Sequence, residues 1–162
     1  MHSKLLGGLL MLTFGLLVSQ VFAGEDDIRQ AFVSLQKAIK ARDGDKIWGL
    51  IDSDSQSDAN RAAKAVQAAF SKAGDKDKAE FEKKYGLTLK ELADMNGKLF
   101  IKSNRFHGKY HEIPGSKLDA VKVKGDTARI NYTEEDGDKE KLSLVRQKGQ
   151  WKFIIPMPKA VD

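Results

Sequence analysis

Apolar positions recur every three or four residues in the first two thirds of the chain, which is the spacing of one helix face. The first predicted helix has an apolar stripe formed by Ile28, Ala31, Phe32, Leu35, Ala38 and Ile39. We expect Asp26 and Asp27 to cap its start. We expect Gly44 to end this helix in the left-handed conformation and Asp45 to cap a second helix over 46–51. The pattern therefore predicts a helical beginning.

The middle of the chain continues the helical pattern with interruptions. The polar segment 52–58 is predicted to be a loop, and an alanine-rich helix follows over 59–72. A charged, exposed helix is predicted over 75–85. Thr88 and Glu91, three residues apart, then form a capping-box pattern that indicates the start of another helix.

From residue 117 onwards apolar and polar residues alternate, which is the period of a β-strand. Four segments show this alternation and are joined by short turns that contain glycine: 117–124, 127–133, 141–147 and 150–155. The expected inward-facing residues are Val121, Val123, Ala128, Ile130, Tyr132, Leu142, Leu144, Trp151, Phe153 and Ile155. Hairpin-linked strands predict an antiparallel meander. Helices followed by strands predict an α+β fold, with the helices packed on one face of a curved antiparallel sheet.

The first 23 residues have the layout of a signal peptide. Lys4 supplies a positive start, residues 5–18 are apolar, and Val21 and Ala23 occupy the two positions that a signal peptidase reads. The apolar run is shorter than the about 20 residues that a membrane-spanning helix needs. We therefore predict cleavage before Gly24 and export, and the alternative is an uncleaved membrane anchor.

The composition narrows the possible functions further. The 162 residues include no cysteine, which excludes disulfides, thiolate metal sites and cysteine nucleophiles. Export without a disulfide favours a bacterial periplasm over other exported locations. The formal net charge is +5, and residues 98–109 form a net-basic stretch that could face an anionic partner. Residues 24–162 are predicted to form one domain, with nucleic acid an unlikely partner of an exported protein.

Two parts of the chain resemble one known superfamily. Residues 142–156 (LSLVRQKGQWKFIIP) resemble the final hairpin of nuclear transport factor 2-like proteins, and residues 41–52 (ARDGDKIWGLID) are similar to the helix break and short helix near their start. The chain is most similar to the small exported branch. The resemblance implies a cystatin-like α+β barrel, in which the sheet forms a half-open cone around a pocket, and often a homodimer through the sheet. It implies no activity, because the scaffold serves enzymes and binding proteins alike.

Candidate acid–base residues fall mainly in one segment, RFHGKYHEIP. His107, Tyr110 and His111 lie there, and Tyr132 is on a predicted strand. Enzymes with the resembled fold place a base beside a tyrosine or acid donor inside the cone. A lyase or isomerase could accordingly use a histidine base with a tyrosine donor. Against catalysis, the expected inward strand positions carry no aspartate, glutamate or histidine.

A metal site is a second possibility for the two histidines. His107 and His111 are four residues apart, so on a helix both rings would share one face, as a metal pair requires. Gly108 and Pro114 argue against a helix in this segment. We therefore expect no metal, and the sequence contains no motif that predicts another cofactor.

Four side chains are the predicted ligand-binding residues at the mouth of the cone: Trp48, Tyr132, Trp151 and Met157. Aromatic residues at these spacings are more often part of the core. The favoured function is an exported, non-enzymatic domain that binds a small apolar or amphipathic ligand or pairs with a protein. The alternatives are the lyase or isomerase and a cell-envelope adaptor that docks through the basic stretch.

Overall fold

The helices precede the strands along the chain, as the sequence predicts for an α+β fold. The computed structural model describes the backbone of residues 13–161 and the side chains of residues 24–161. Within this part the α-helices are α1 (Thr13–Lys40), α2 (Gly44–Leu50), α3 (Ser53–Lys72), α4 (Asp75–Tyr85), α5 (Leu89–Ala93), α6 (Gly97–Lys102) and α7 (Asn104–Tyr110). A 3-10 turn at Ile113–Gly115 leads into the strands β1 (Lys117–Lys124), β2 (Thr127–Thr133), β3 (Lys139–Gln147) and β4 (Gln150–Ile154).

The predicted signal peptide lies mostly outside the described residues. Residues 13–23 form the beginning of α1, which continues without a break to Lys40. The prediction that Asp26 and Asp27 cap the start of a helix was therefore wrong. Among the residues that the structure describes, no helix is long and apolar enough to cross a membrane.

At the junction between α1 and α2, the left-handed residue and the helix cap are not the residues that the sequence predicted. Arg42, and not Gly44, takes the left-handed conformation, with φ 51°. The cap of α2 is Asp43, whose carboxylate accepts a backbone N–H of the first turn at 3.0 Å, and Asp45 lies inside the helix. A Cβ atom on Gly44 would lie 2.7 Å from the carbonyl oxygen of Lys98. Close packing of α2 on α6 is thus what requires a glycine here.

The prediction of a loop over residues 52–58 was wrong. These residues contain the cap and the first turns of α3. The Asp52 carboxylate accepts the backbone N–H groups of Asp54 and Ser55 at 3.3 and 3.1 Å. The Ser55 hydroxyl in turn accepts the backbone N–H of Ile155 at 2.9 Å. Aspartate and serine favour both loops and helix starts, so their presence alone did not distinguish the two.

Two short helices, α5 and α6, occupy the region where the capping box was expected to begin a single helix. The reciprocal capping box of Thr88 and Glu91 is confirmed. However, α5 ends at Ala93, and Asn96 caps a separate helix by accepting two backbone N–H groups of α6 at 3.0 and 3.2 Å.

The strands form the predicted antiparallel meander, in the order β1-β2-β3-β4. β3 begins two residues earlier than predicted and β4 ends one residue earlier. The three turns contain residues with positive φ angles: Gly125, Gly137, Lys148 and Gly149. Such angles give tight hairpins the right-handed twist of their strands. The sheet is open, with β1 and β4 at its edges.

α1 packs on one face of this sheet. The ring of Phe32 lies 5.6 Å from that of Tyr132 and 6.5 Å from that of Phe153, measured between centroids. The expected inward residues of β2, β3 and β4 are buried in this core, and those of β1 are half-buried. A second hydrophobic cluster lies among the helices α3 to α6, and Met157 packs against both clusters.

Candidate functional site

A crevice of about 500 Å³ opens between the end of α1, the helix α7 and the turn that joins β2 to β3. Each of these elements contributes polar side chains, and the polar lining consists of Lys40, Arg42, Asn104, His107, His111 and Glu135. The crevice thus contains both candidate histidines and more positive than negative side chains.

The two histidines share the crevice because their segment is helical, contrary to the prediction. Gly108 is exposed, and a Cβ atom there would meet nothing within 4 Å, so it serves no packing need. A glycine inside a helix costs only about 1 kcal/mol. Pro114 lies in the 3-10 turn beyond α7, where it follows the helix without interrupting it.

His107 is the buried member of the pair, with a side chain only 6% exposed. Burial, together with the positive charge of Arg42, lowers its pKa to about 4, although a hydrogen bond to the backbone of Ile101 opposes both effects. The ring is therefore neutral at pH 7. Nε2 has no hydrogen-bond partner, so Nδ1 carries the proton towards the Ile101 carbonyl and Nε2 is an acceptor without a donor.

Arg42 is held at the rim of the crevice by a chain of hydrogen bonds. Its guanidinium donates to Asn104 Oδ1 at 2.6 Å, and Asn104 Nδ2 donates to the Lys83 carbonyl at 3.3 Å. The exposed side chain of Lys40 adds a second positive charge to the lining. This side of the crevice is therefore suited to an anionic group.

The two candidate tyrosines do not line the crevice with His107. Tyr110 is buried, its hydroxyl donates to the carbonyl of Pro156, and burial raises its pKa above the usual value. Burial also raises the pKa of Tyr132 to about 12, and the nearby carboxylate of Glu134 contributes to this rise. Neither hydroxyl is placed as a proton donor beside His107.

His111 is exposed and bonds to its own neighbourhood. Its Nδ1 lies 3.1 Å from the Gly108 carbonyl oxygen, and its Nε2 lies 3.3 Å from a carboxylate oxygen of Glu112. Three carboxylates beyond it, those of Glu112, Glu134 and Asp136, offer oxygen atoms within 4.8 Å of one another. Among the described residues, these three side chains lie close enough together to hold one metal ion. The group contains neither His107 nor His111.

Glu134 is the perturbed member of this acidic cluster. Burial, together with the hydrogen bond and negative charge of Glu112, raises its pKa to about 7. A folded-state pKa above the usual value of 4.5 means that the folded protein holds this proton more tightly than the unfolded chain. The stabilising contribution is complete below about pH 4.5 and is lost as the pH rises through 7.

Substitution Glu112→Gln should reduce this loss, because it removes the negative charge next to Glu134. We expect the free energy of unfolding to fall less between pH 6 and pH 8 in E112Q than in the unmodified protein, by about 1 kcal/mol. Urea unfolding at both pH values measures this. Glu135→Gln, in the same turn, is the control, and an equal fall in all three proteins would contradict the coupling.

The four side chains predicted to bind a ligand lie in different environments. Trp48 packs so closely on α6 that a Cβ atom on Gly97 would lie 2.6 Å from its ring. Tyr132 is packed in the core against α1, and Met157 lies between the two hydrophobic clusters. Trp151 is buried with its indole Nε1 unpartnered, and it lines a separate crevice of about 450 Å³ between α1 and β4.

The cations of the predicted basic stretch are bonded within the fold. Their partners are Asp45 for Lys98, Glu91 for Lys102, and main-chain carbonyls for Arg105 and Lys109. Its aromatic residues, Phe100 and Phe106, are fully buried. A partner that docked on residues 98–109 would have to compete with these bonds.

Arg42 and Asn104 were missed by the sequence analysis. Neither belongs to a motif, and the two are 62 positions apart in the chain. The one local signal was the Asp43-Gly44 pair, which predicts a turn but not the direction of the arginine beside it.

Compared with models of protein families, with curated proteins and with solved structures, the chain matches none of them. The resemblance to nuclear transport factor 2-like proteins therefore stays a prediction.

Proposed function

We propose that this chain is an exported, non-enzymatic domain that binds a small polar molecule in the crevice between α1 and α7. The observation that carries the proposal is His107, a residue of the crevice lining whose Nε2 atom is a buried acceptor without a donor. A buried polar atom without a partner costs about 1–3 kcal/mol. A donor on a bound molecule would remove that cost.

The lining suggests the chemistry of the ligand. Lys40 and Arg42 favour an anionic group, and the neutral ring of His107 requires a hydroxyl or N–H donor on the same molecule. A volume of about 500 Å³ falls within the range of small-molecule sites. A small hydroxy acid or amino acid combines both groups. This proposal differs from the apolar or amphipathic ligand that the sequence predicts.

The lyase or isomerase alternative has less support. A histidine with a pKa of about 4 is a weak base at neutral pH. The tyrosine donor it would need is absent from the crevice, since the Tyr110 hydroxyl already donates to Pro156.

For the fold we propose the cystatin-like cone that the sequence resemblance implies. The order of helices before an antiparallel meander supports it. In this cone Phe32, Tyr132 and Phe153 would fill the interior, so the ligand would sit at the crevice beside the sheet.

Native mass spectrometry tests both the export and the binding. The full chain, expressed in an exporting host and recovered without denaturation, should have the mass of residues 24–162 plus a retained small molecule. Arg42→Ala and His107→Leu should each lower the fraction with bound ligand about tenfold or more.

Arg29→Ala is the matched control, because Arg29 is an exposed arginine on α1 outside the crevice. It should keep the ligand. A bare protein, with no rise in Tm on adding lactate, glycine or phosphate, would contradict the proposal. Ligand retained equally in all variants would place the site elsewhere.

A further inference from the structure

The face of the sheet that points away from α1 carries a concentration of positive charge. Side chains alternate between the two faces along each strand, so every second position points outward. Six of these positions are exposed cations: Lys117, Lys122, Lys124, Arg129, Lys139 and Lys141. We call this set the basic face. The acid at an outward position of the four strands is Asp119, in the irregular part of β1, where it accepts the Thr133 hydroxyl at 2.6 Å.

Two positive side chains on this face stand directly opposite each other, and neither forms an ion pair with any residue that the structure describes. Lys122 on β1 pairs in register with Arg129 on β2. Among the described residues neither side chain has an ion-pair partner, and the same holds for Lys124 and Lys141. Like charges directly opposite on neighbouring strands destabilise a sheet. A partner that brings negative charge to this face would relieve the repulsion.

The register places these cations in one continuous patch. Lys122, Arg129 and Ser143 form one row across β1, β2 and β3, which ends at Ile154 on β4. Lys141 lies in the next row. Neighbouring strands are about 4.8 Å apart, so the patch is roughly 15 Å wide. The acids of the β2–β3 turn lie at one end of it, and the opposite end, with Lys122, Lys124 and Arg129, is the more positive.

The chemistry of the face favours a diffuse anionic surface over a nucleic acid. The strand aromatics Tyr132, Trp151 and Phe153 all point into the core, so the basic face offers no ring on which a base could stack. Five of its six cations are lysines, which act as mobile point charges, whereas arginine is the residue that holds a phosphate in a fixed bidentate geometry. Ile154, an apolar residue 41% exposed, lies at the end of the central row.

We propose that the basic face docks this domain on the surface of an anionic lipid bilayer. The lysines would lie among the lipid headgroups, and each cation near such a surface raises the affinity about fivefold. The apolar segment 5–18 supports a membrane as the partner, because the export that it predicts would deliver the chain at a bilayer. The proposal does not depend on the ligand of the crevice.

Vesicle flotation with the full chain tests the proposal. Vesicles of phosphatidylcholine measure any binding by the apolar N-terminal segment, and vesicles that also contain phosphatidylglycerol add the electrostatic part. We expect at least about tenfold stronger binding to the anionic vesicles. The difference should disappear at high salt, because the screening length falls from about 10 Å at 0.1 M to about 3 Å at 1 M.

The double substitution Lys122→Glu, Lys141→Glu should abolish the preference for anionic vesicles. It should not unfold the sheet, because residue 122 then pairs a carboxylate with Arg129, and the Tm should be unchanged or higher. The matched control reverses two exposed lysines on the helices, Lys64→Glu and Lys76→Glu, and gives the same net charge. This control should keep most of the preference.

Three results would overturn the proposal. The first is equal binding of the unmodified protein to both kinds of vesicle. The second is a loss in the helix control as large as the loss in the basic-face variant. The third is displacement from the vesicles by duplex DNA or heparin at lower charge concentration than the lipid, which would identify another polyanion as the partner.

Discussion

Replacing Phe32 by alanine will lower the free energy of unfolding by about 3–5 kcal/mol. Phe32 is 1% exposed on α1, and its ring contacts Tyr132 on β2 and Phe153 on β4. The ring therefore joins the longest helix to two strands of the sheet. Its removal leaves a cavity bounded by separate elements, which cannot all move inward to fill it. Urea unfolding of the two proteins at neutral pH measures the difference.

Val33→Ala is the matched control for this substitution. Val33 is the next residue of the same helix, but it is 45% exposed, so its truncation should cost less than about 1 kcal/mol. If Phe32→Ala were as mild as this control, the space between α1 and the sheet would be open. The half-open cone with a central ligand pocket would then gain support over the crevice.

The packing of α1 on this face of the sheet bears on the predicted ligand-binding residues. Alternation along a strand correctly showed that Tyr132, Trp151 and Phe153 share one face of the sheet. It could not show whether that face encloses a cavity or a core. The answer depends on α1, which places Phe32 against the rings of Tyr132 and Phe153, residues far later in the chain.

The strands were predictable almost to the residue because two local signals agree. A period of two identifies the buried face, and glycine at the turns sets the register between neighbours. The observed pairs, such as Ile130 with Leu142, follow from these signals alone.

The helical region was less predictable because its boundaries depend on polar residues with two possible roles. Asp52 and Ser55 were expected in a loop, yet both lie at the start of α3. Asp52 accepts a backbone N–H of the helix, and the Ser55 hydroxyl accepts the backbone N–H of Ile155, just after β4. Gly108 was expected to prevent a helix, yet α7 tolerates it on an exposed face. In both cases the packing of distant elements decided what the local sequence left open.

Only some residues of the candidate site were singled out from the sequence, because the others depend on contacts between distant parts of the chain. His107 and His111 were recognised as chemically notable, and both line the crevice. Arg42 was not, because a non-glycine residue in the left-handed conformation costs about 1 kcal/mol or more. Only a contact distant in sequence, here the hydrogen bond to Asn104, can repay that cost.

Acidification from pH 7 to pH 4 will remove the stabilising contribution of the neutral His107 ring. The folded-state pKa of about 4 lies below the value of 6.5 expected in the unfolded chain. The unfolded chain therefore binds the proton first as the pH falls. The contribution of neutral His107 is complete above about pH 6.5 and is lost progressively down to pH 4, and the expected loss is about 3 kcal/mol.

The comparison of two histidine variants isolates this effect. His107→Leu should show a fall in unfolding free energy between pH 7 and pH 4 that is smaller by about 3 kcal/mol, whatever its stability at pH 7. His111→Leu, which replaces the exposed histidine, should retain the full dependence. Urea titrations across the pH range measure both. If His107→Leu lost as much stability in acid as the unmodified protein, the imidazole would be solvated. Its Nε2 would then have water as a partner, and the main support for a ligand in the crevice would be gone.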